Sequence, residues 1–344
     1  MDEASIHASL LDMTLSDGTP MLRDNDITRI MIEPHWVAVV LGREDVSRTQ
    51  LERIHQHLSE AFPGTEFELR AGSIVHRGGA GFGEGRHIVA VLGGKGGVGK
   101  STIAVNLALT LSALGMSVGL LDADLNAPDI PHLLGFHPDR PQRGLGWRLT
   151  SSGITSPSRR LRPHEVYGLQ VMSIGFAIPE RFPPIISTRM LVSSLLRYFV
   201  FEVAWQVDIL LIDAPPGTGE ELQVIAGELP ISGALFVTTP QDLAQMDAER
   251  TLSLLEQHEV PVIGWVENMA SLTCPHCRHE IDLFATSPRL LDAGVRPLGR
   301  IPFDVQLSVP ADQGRPLVLG DPRGPIAYEF ARMGSQVRRW LARA

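Results

Sequence analysis

Residues 94–101 read Gly-Lys-Gly-Gly-Val-Gly-Lys-Ser, and this stretch decides the fold. It matches the pattern G-x-x-x-x-G-K-[S/T], in which glycines let backbone N–H groups turn inward around phosphate oxygens. The apolar segment Ile88–Leu92 precedes it with the composition of a strand, and Ser101–Leu114 follows it with that of a helix. A glycine turn that merely joins strand to helix is the alternative, but the spacing and placement favour a phosphate-binding loop.

The residues of this loop have distinct predicted roles in binding ATP. Lys100 would neutralise charge on the β- and γ-phosphates, and the Ser101 hydroxyl would ligate Mg²⁺. The start of the following helix adds the positive end of its dipole. We therefore predict an ATP and Mg²⁺ site whose loop residues are Gly94, Lys95, Gly96, Gly97, Val98, Gly99, Lys100, Ser101 and Thr102.

Carboxylates follow two further apolar segments. Val207–Asp213 reads as a strand whose last residue, Asp213, would hold Mg²⁺ through water as a Walker B residue does. Asp122 and Asp124 come after the predicted strand Ser117–Leu121, and we predict that Asp124 orients the attacking water. The alternative is that one of the pair only caps the next helix, and it applies chiefly to Asp122.

From His87 onward, strand-like and helix-like segments alternate. Further strands are predicted over Leu169–Ser173, Ala234–Thr238 and Val262–Val266, and a helix over Asp242–His258. Several strands are apolar on both faces, which is typical of buried parallel strands. The pattern predicts an α/β fold with a doubly wound, mostly parallel sheet of the P-loop NTPase type, with ligands at the carboxyl ends of its strands.

Residues 1–76 differ from the rest of the chain in sequence pattern, and this pattern predicts a separate small α+β domain. Trp36–Leu41 and Thr65–Leu69 read as strands, and Arg48–Ala61 has helical spacing. Residues 77–86 are rich in glycine and predict a flexible linker. The remaining residues, 87–344, would then form the ATPase domain.

Composition narrows the class of protein. The chain has a formal charge of −9 and 44% hydrophobic residues, so it can bury a sizeable core. Its negative charge argues against a surface that coats nucleic acid, and we expect no nucleic-acid partner. No apolar run is long enough to span a bilayer, and the N-terminus lacks a signal pattern. We expect a cytoplasmic protein without stable membrane anchoring.

The two cysteines of the chain, Cys274 and Cys277, stand in the sequence Cys-Pro-His-Cys. This spacing is typical of metal ligands. The alternatives are a redox dithiol, two unrelated thiols, and a zinc site completed by His276 and His279. Iron–sulfur clusters commonly take four thiolates, and one chain offers two. A symmetric dimer would bring four together on its axis.

A second lysine in the phosphate loop also concerns a dimer. The string Gly94–Thr102, with Lys95 near its start, resembles the deviant Walker A loop of the SIMIBI class. In that class the early lysine reaches across a dimer interface to the partner's nucleotide, which would make Lys95, with Lys100 and Asp124, a catalytic residue. A solvated charge is the plain alternative.

Several sequence blocks share one order with a known family. They are Gly93–Thr102, Leu121–Pro131, Val171–Phe176, Leu211–Gly219, Val237–Gln241, Val266–Met269 with Cys274–Cys277, and Leu298–Pro302. Over most of Ile88–Leu319 the sequence thus resembles the Mrp/ApbC family of iron–sulfur cluster carrier proteins.

The resemblance implies a homodimer that binds ATP and hydrolyses it slowly. It implies a labile [4Fe-4S] cluster held by Cys274 and Cys277 of both chains, with apo iron–sulfur proteins and scaffold proteins as partners. Asn268 matches a position associated with base recognition, where a carboxamide suits an adenine edge, although a loop turn is the alternative. The small domain of such proteins usually has a Pro-Cys element that this chain lacks, so we do not expect residues 1–76 to hold a cluster.

Two rival functions compete with this interpretation. A positioning ATPase of the partition and division-site type shares the Lys95-type loop but needs no metal. Some of these proteins end in a membrane-seeking helix, and Ile326–Leu341 has apolar residues at helical spacing with arginines nearby. A C-terminal helix packed on the sheet is the plainer interpretation. The second rival is an ATPase with a structural zinc.

Overall fold

The structure of the chain is a computed structural model. It describes residues 2–343 except for 15–18, 34–35, 43–47, 72–73, 79–85, 137–147, 151–152, 156–160, 177–188, 218, 275, 278, 286, 288 and 305–312. The chain divides into two compact units, Met1–Gly83 and Glu84–Ala344. The division falls inside the predicted linker 77–86, most of which lies outside the described residues.

The first unit is a four-stranded sheet with two helices. Its elements are α1 (Glu3–Leu11), β1 (Ile27–Glu33), β2 (Trp36–Leu41), α2 (Arg48–Ala61), β3 (Glu66–Ala71) and β4 (Ile74–Gly78). The strands lie in chain order, and only the central pair β2–β3 is parallel, with α2 as its crossover. Leu51, Ile54 and Leu58 of α2 are fully buried, as their spacing predicts, whereas Ala61 at the helix end is exposed.

The second unit contains a nine-stranded sheet and a short hairpin. Its strands are β5 (His87–Gly93), β6 (Val118–Asp122), β7 (Arg148–Thr150), β8 (Gly153–Thr155), β9 (His164–Val166), β10 (Leu169–Met172), β11 (Ile209–Asp213), β12 (Gly233–Thr238), β13 (Val262–Thr273), β14 (Glu280–Asp282) and β15 (Pro297–Phe303). The helices are α3 (Lys100–Ala113), α4 (Ile130–Leu133), α5 (Arg189–Phe201), α6 (Glu220–Glu228), α7 (Asp242–Gln257), α8 (Arg289–Asp292), α9 (Leu317–Gly320) and α10 (Pro325–Leu341).

The large sheet is mostly parallel and has the strand order β14-β13-β12-β5-β11-β6-β10-β9, with β15 paired to β13. Among the strands that the structure describes in this sheet, only β9 and β14, at the two ends of this order, pair antiparallel. Every residue of β6, β11 and β12 is buried, because flanking helices cover apolar side chains on both faces. This architecture confirms the predicted α/β fold with a mostly parallel sheet.

The carboxyl ends of adjacent strands meet at one edge of this sheet. Asp213, which ends β11, is in register with Asp122, which ends β6. On the other side of β5, Val237 of β12 is in register with Gly93. The loop that leaves β5 at Gly93 therefore begins next to the end of β11 with Asp213, and Asp122 lies one strand further along the sheet.

The C-terminal helix α10 packs on α3 and β15. Its apolar face is buried in the core of the unit, through Ile326, Phe330, Met333, Val337 and Leu341. The plainer interpretation of this segment, a helix packed on the sheet, is thus correct. None of the helices in the described part of the chain has the length and apolar character needed to cross a membrane.

Candidate functional site

The predicted phosphate loop connects β5 to α3 at the carboxyl edge of the sheet. Gly99 precedes the first helical residue, Lys100, and its φ of 82° lies in the left-handed region that glycine tolerates. Gly94 is needed for a different reason, because a β-carbon there would lie 2.3 Å from the backbone nitrogen of Ala248 in α7. Close packing thus requires glycine at the start of the loop, and backbone conformation requires it at the end.

Lys100 and Asp213 form a buried ion pair at the centre of the site. The Nζ atom of Lys100 lies 2.6 Å from Oδ1 of Asp213 and 3.2 Å from Oγ of Ser101. The other carboxylate oxygen of Asp213, Oδ2, is buried without a hydrogen-bond partner among the described residues. Burial raises the pKa of Asp213, and Lys100 opposes that shift. An unpaired buried oxygen of this kind calls for a further cation or hydrogen-bond donor.

Asp122 supports the loop that follows β6. It is fully buried, and its carboxylate accepts hydrogen bonds from the Asp124 N–H at 3.2 Å, the Ile130 N–H at 3.2 Å and the Ser173 hydroxyl at 2.9 Å. Burial raises the pKa of Asp122 well above its usual value, and the neighbouring Asp213 raises it further. The residue at the N-cap of α4 is Asp129, and Asp122 reaches this helix only through its hydrogen bond from the N–H of Ile130, the first helical residue.

Ser173 is a residue of this site that sequence reasoning missed. It is fully buried just after β10, where its hydroxyl donates to Asp122 and accepts from the Gly175 N–H at 3.0 Å. Its place at the carboxyl end of a predicted parallel strand was the available signal.

Asp124, the predicted orienter of water, is half-buried two residues beyond Asp122. Its Oδ1 accepts a hydrogen bond of 2.9 Å from the Ala127 N–H, which holds the side chain within its own loop. Its charge raises the pKa of Asp213, so the two carboxylates are close enough to interact. The catalytic role of Asp124 stays a prediction.

Asn268 lies against the phosphate loop. Its side-chain amide, which is buried, donates a hydrogen bond of 2.9 Å from Nδ2 to the carbonyl of Val98. A carboxamide has two N–H hydrogens and an oxygen, so one hydrogen and the oxygen remain for another group. Lys95, in contrast, is exposed and makes no hydrogen bond or ion pair with the residues that the structure describes. Contact of Asn268 with a base and of Lys95 with a partner chain stay predictions.

The two cysteines lie in the turn of a β-hairpin formed by β13 and β14. The Cys274 N–H closes this turn by donating to the carbonyl of His279 at 2.9 Å. Cys274 is half-buried and Cys277 exposed, and both are free thiols. The backbone N–H groups of Cys277 and then His276 stabilise the Cys274 thiolate and lower its pKa. A lowered thiol pKa favours the thiolate that binds metals.

The zinc alternative needs histidines beside the thiols. In the described ranges no three His, Cys, Asp or Glu side chains come together as a metal site. His276 and His279 are exposed. The within-chain zinc site weighed from the sequence is thus not assembled by these residues.

Comparison with known proteins agrees with this site. A sequence profile described as ParA: NUBPL iron-transfer P-loop NTPase matches residues 84–338. The iron-sulfur cluster carrier protein of Aquifex aeolicus is 39% identical over 259 residues, which cover 73% of this chain and 68% of that protein. The iron-sulfur cluster transfer protein NUBPL of Mus musculus is 37% identical over 264 residues, covering 74% and 78%.

A solved structure is also similar. It is the nucleotide-binding protein from Archaeoglobus fulgidus in complex with ADP, which is 33% identical and superposes with a TM-score of 0.55 over 71% of this chain and 91% of that one. The cell division ATPase MinD of Pyrococcus furiosus, at 20% identity and a TM-score of 0.51, shares the fold alone. On the extent of the profile match and of these identities, the chain belongs to the family of NUBPL-type iron-transfer P-loop NTPases.

Proposed function

We propose that this chain binds and slowly hydrolyses ATP with Mg²⁺, and carries an iron–sulfur cluster that it passes to apoproteins. One observation carries the proposal. The phosphate loop leaves β5, and the Cys-Pro-His-Cys turn leaves β13, at the same carboxyl edge of one parallel sheet. Relatives named as carrier and transfer proteins for iron–sulfur clusters support the second half of the proposal.

The residues present fit a magnesium nucleotide. Lys100 would hold the β- and γ-phosphates, while the Ser101 hydroxyl and Asp213 would hold Mg²⁺. The unpartnered Oδ2 of Asp213 is the observation that supports this fit, because a cation or its bound water would satisfy that oxygen. When bound, the nucleotide supplies a transferable phosphoryl group. Asp124 would orient the water that attacks it, and Asn268 would contact the base.

The cluster would be cargo rather than a resident group. Two free thiols on an exposed turn supply half of the four thiolates that a [4Fe-4S] cluster commonly takes. We propose that a second copy of the chain supplies the other half across a two-fold axis. The exposed, unpaired Lys95 supports the same homodimer, since its charge is available to a partner's nucleotide. Apo iron–sulfur proteins would receive the cluster, and scaffold proteins would be further partners.

Anaerobic reconstitution with iron and sulfide tests the carrier function. We expect brown protein with broad absorbance in the visible blue and about four iron atoms per dimer. The Cys277→Ala variant should lose this cluster and still bind ATP, because the turn is separate from the phosphate loop. Tightly bound zinc in colourless protein, or normal iron in Cys277→Ala, would contradict the proposal.

The rival membrane-positioning function was supported by the apolar C-terminal segment, and the fold removes that support. The apolar face of α10 is buried against the sheet and α3, so it is not free to enter a lipid surface. A positioning switch also has no use for two thiols on an exposed turn. We therefore propose no second function.

A further inference from the structure

The middle of strand β13 contacts the phosphate loop, and the end of the strand leads directly into the cysteine turn. We propose that Asn268 and Met269 are positioning residues that transmit nucleotide occupancy from the phosphate loop to Cys274 and Cys277. This inference rests on the proposed function, in which nucleotide and cluster belong to one cycle. It adds the route by which the two sites influence each other.

The first step of the route is the contact between Asn268 and the phosphate loop. Besides the hydrogen bond from Asn268 to the Val98 carbonyl, the side chain covers Gly99 so closely that a β-carbon there would lie 2.2 Å from Nδ2. The same β-carbon would lie 3.8 Å from Cε of Met269. Val98 and Gly99 immediately precede Lys100, so a loop that adjusts around phosphates moves against the Asn268 side chain and, through the chain, against the backbone of the adjacent Met269.

The second step is an irregularity in β13 at Met269. This residue has a φ of 53°, which lies in the left-handed region that residues other than glycine and asparagine rarely adopt. Between the pairs Asn268–Ile301 and Leu272–Phe303, β13 advances by four residues while β15 advances by two. Such strain persists only where the surrounding structure holds it, and it collects at sites that change conformation. Met269 therefore marks a joint within the strand.

The third step is the rigid connection from this joint to the thiols. Beyond Met269, residues 271–273 of β13 pair with β14. The Ser271 hydroxyl donates a hydrogen bond to Glu280, and the Cys274 N–H donates to His279. These contacts join the end of β13, the described residue Cys274 at the start of the turn, and β14. A rotation at Met269 consequently reorients both cysteines together.

Arg300 provides a second connection between the two halves of the strand. Its guanidinium contacts Glu267, before the joint, at 2.6 Å and Asp282, on the hairpin, at 3.0 Å. This bridge is half-exposed and bypasses the phosphate loop. It is the competing route that the experiment must separate from Asn268 and Met269.

Thiol alkylation of the iron-free, reduced full-length chain tests the proposal, because the chain has only two cysteines. We measure the rate with iodoacetamide at fixed pH, with and without a saturating non-hydrolysable ATP analogue and Mg²⁺. In the wild type the nucleotide should change the rate by about fivefold or more, the lower range of common allosteric couplings. No change in the wild type would overturn the proposal.

Three variants locate the route. In Asn268→Ala and Met269→Gly, the nucleotide should change the alkylation rate by less than about twofold. A fluorescent nucleotide confirms that each variant is saturated. Met269→Ala is the matched control, since it removes the side chain beyond Cβ but keeps the Cβ that makes the left-handed conformation unfavourable, and it should retain the effect. A nucleotide effect that survives in Met269→Gly would overturn the proposal, whether Arg300 or protection by a partner subunit carries it.

Loss of the effect in Met269→Ala would equally overturn the role of the backbone joint. If Asn268→Ala fails to fold, the pair of Met269 variants still decides. The assay needs neither iron nor turnover. Its failure therefore leaves the reconstitution result, and with it the proposed function, untouched.

Discussion

The Nζ atom of Lys100 lies 2.6 Å from Oδ1 of Asp213, and this contact joins residues 113 positions apart in the chain. Lys100 begins α3 and Asp213 ends β11, so the ion pair connects the phosphate loop to the centre of the sheet. Both side chains are buried. Each charge is therefore compensated mainly by the other, and removing one leaves the second in an apolar environment.

The first prediction concerns this pair. Lys100→Ala should lower the free energy of unfolding by about 3–5 kcal/mol, because it leaves a buried carboxylate without its cation. The double variant Lys100→Ala/Asp213→Asn should recover much of that loss, since the charge is gone. Both variants should hydrolyse ATP only at background. Urea denaturation and phosphate release measure these effects.

A Lys100→Ala variant as stable as the wild type would contradict the burial of the pair. Retained turnover in that variant would contradict the assignment of the phosphate site. The two measurements are independent, so the structural and functional roles of Lys100 are tested separately.

The second prediction compares two glycines of the loop. Gly97 and Gly99 have similar φ values of 79° and 82°, so alanine at either position costs about 1–2 kcal/mol in backbone strain. Only at Gly99 would the new β-carbon also collide with Asn268, at 2.2 Å from Nδ2. We expect Gly99→Ala to destabilise the nucleotide-free chain by about 1–3 kcal/mol more than Gly97→Ala.

The added substitution Asn268→Ala tests the origin of this difference. It should relieve the collision and bring Gly99→Ala closer to Gly97→Ala in denaturation midpoint. Equal midpoints for the two single glycine variants would show that Asn268 does not press on the loop.

The sequence predicted the central strands well because each is a short apolar run bounded by turn residues. Predicted and observed limits of β5, β6, β11 and β12 differ by at most a few residues. The prediction for β13 ended at Val266, whereas the strand continues to Thr273. The polar residues Glu267 and Asn268 interrupt the apolar pattern there, and their side chains make tertiary contacts with Arg300 and Val98.

Motif spacing predicted the residues of the phosphate loop and Asp213, and the structure brings Lys100 and Asp213 into contact. Contacts between distant segments carried no such signal. Ser173 meets Asp122 across 51 positions, and Asn268 meets Val98 across 170. Whether a polar residue at a strand end faces a loop, a ligand or solvent depends on which strands become neighbours, and the sheet order sets that.

The third prediction separates core packing from membrane binding in α10. Phe330 is fully buried, so Phe330→Ala should cost about 3–5 kcal/mol in unfolding free energy. Tyr328 on the same helix is 69% exposed, and Tyr328→Ala should change stability by about 0.5 kcal/mol or less. Neither should alter sedimentation with anionic vesicles. Strong vesicle binding that Phe330→Ala abolishes would revive the membrane rival.

The fourth prediction concerns the pH dependence of the cysteine turn. Because backbone N–H groups of Cys277 and His276 stabilise the Cys274 thiolate, the pKa of Cys274 lies below its ordinary value of 9.0. With a lowered pKa, a larger fraction of Cys274 is thiolate at a given pH below 9.0 than for a thiol of ordinary pKa. The alkylation rate of Cys274, followed by peptide mass spectrometry, should therefore reach its half-maximum below pH 9.0 in the folded chain and move upward in urea.

A matched variant identifies the source of this shift. The largest contribution comes from the N–H of Cys277, which the Cys277→Ala substitution retains, whereas its thiol contributes less. Cys277→Ala should thus keep most of the lowered midpoint of Cys274. A midpoint that returns to the value measured in urea would show that the second thiol, and not the backbone of the turn, prepares Cys274 to bind a metal.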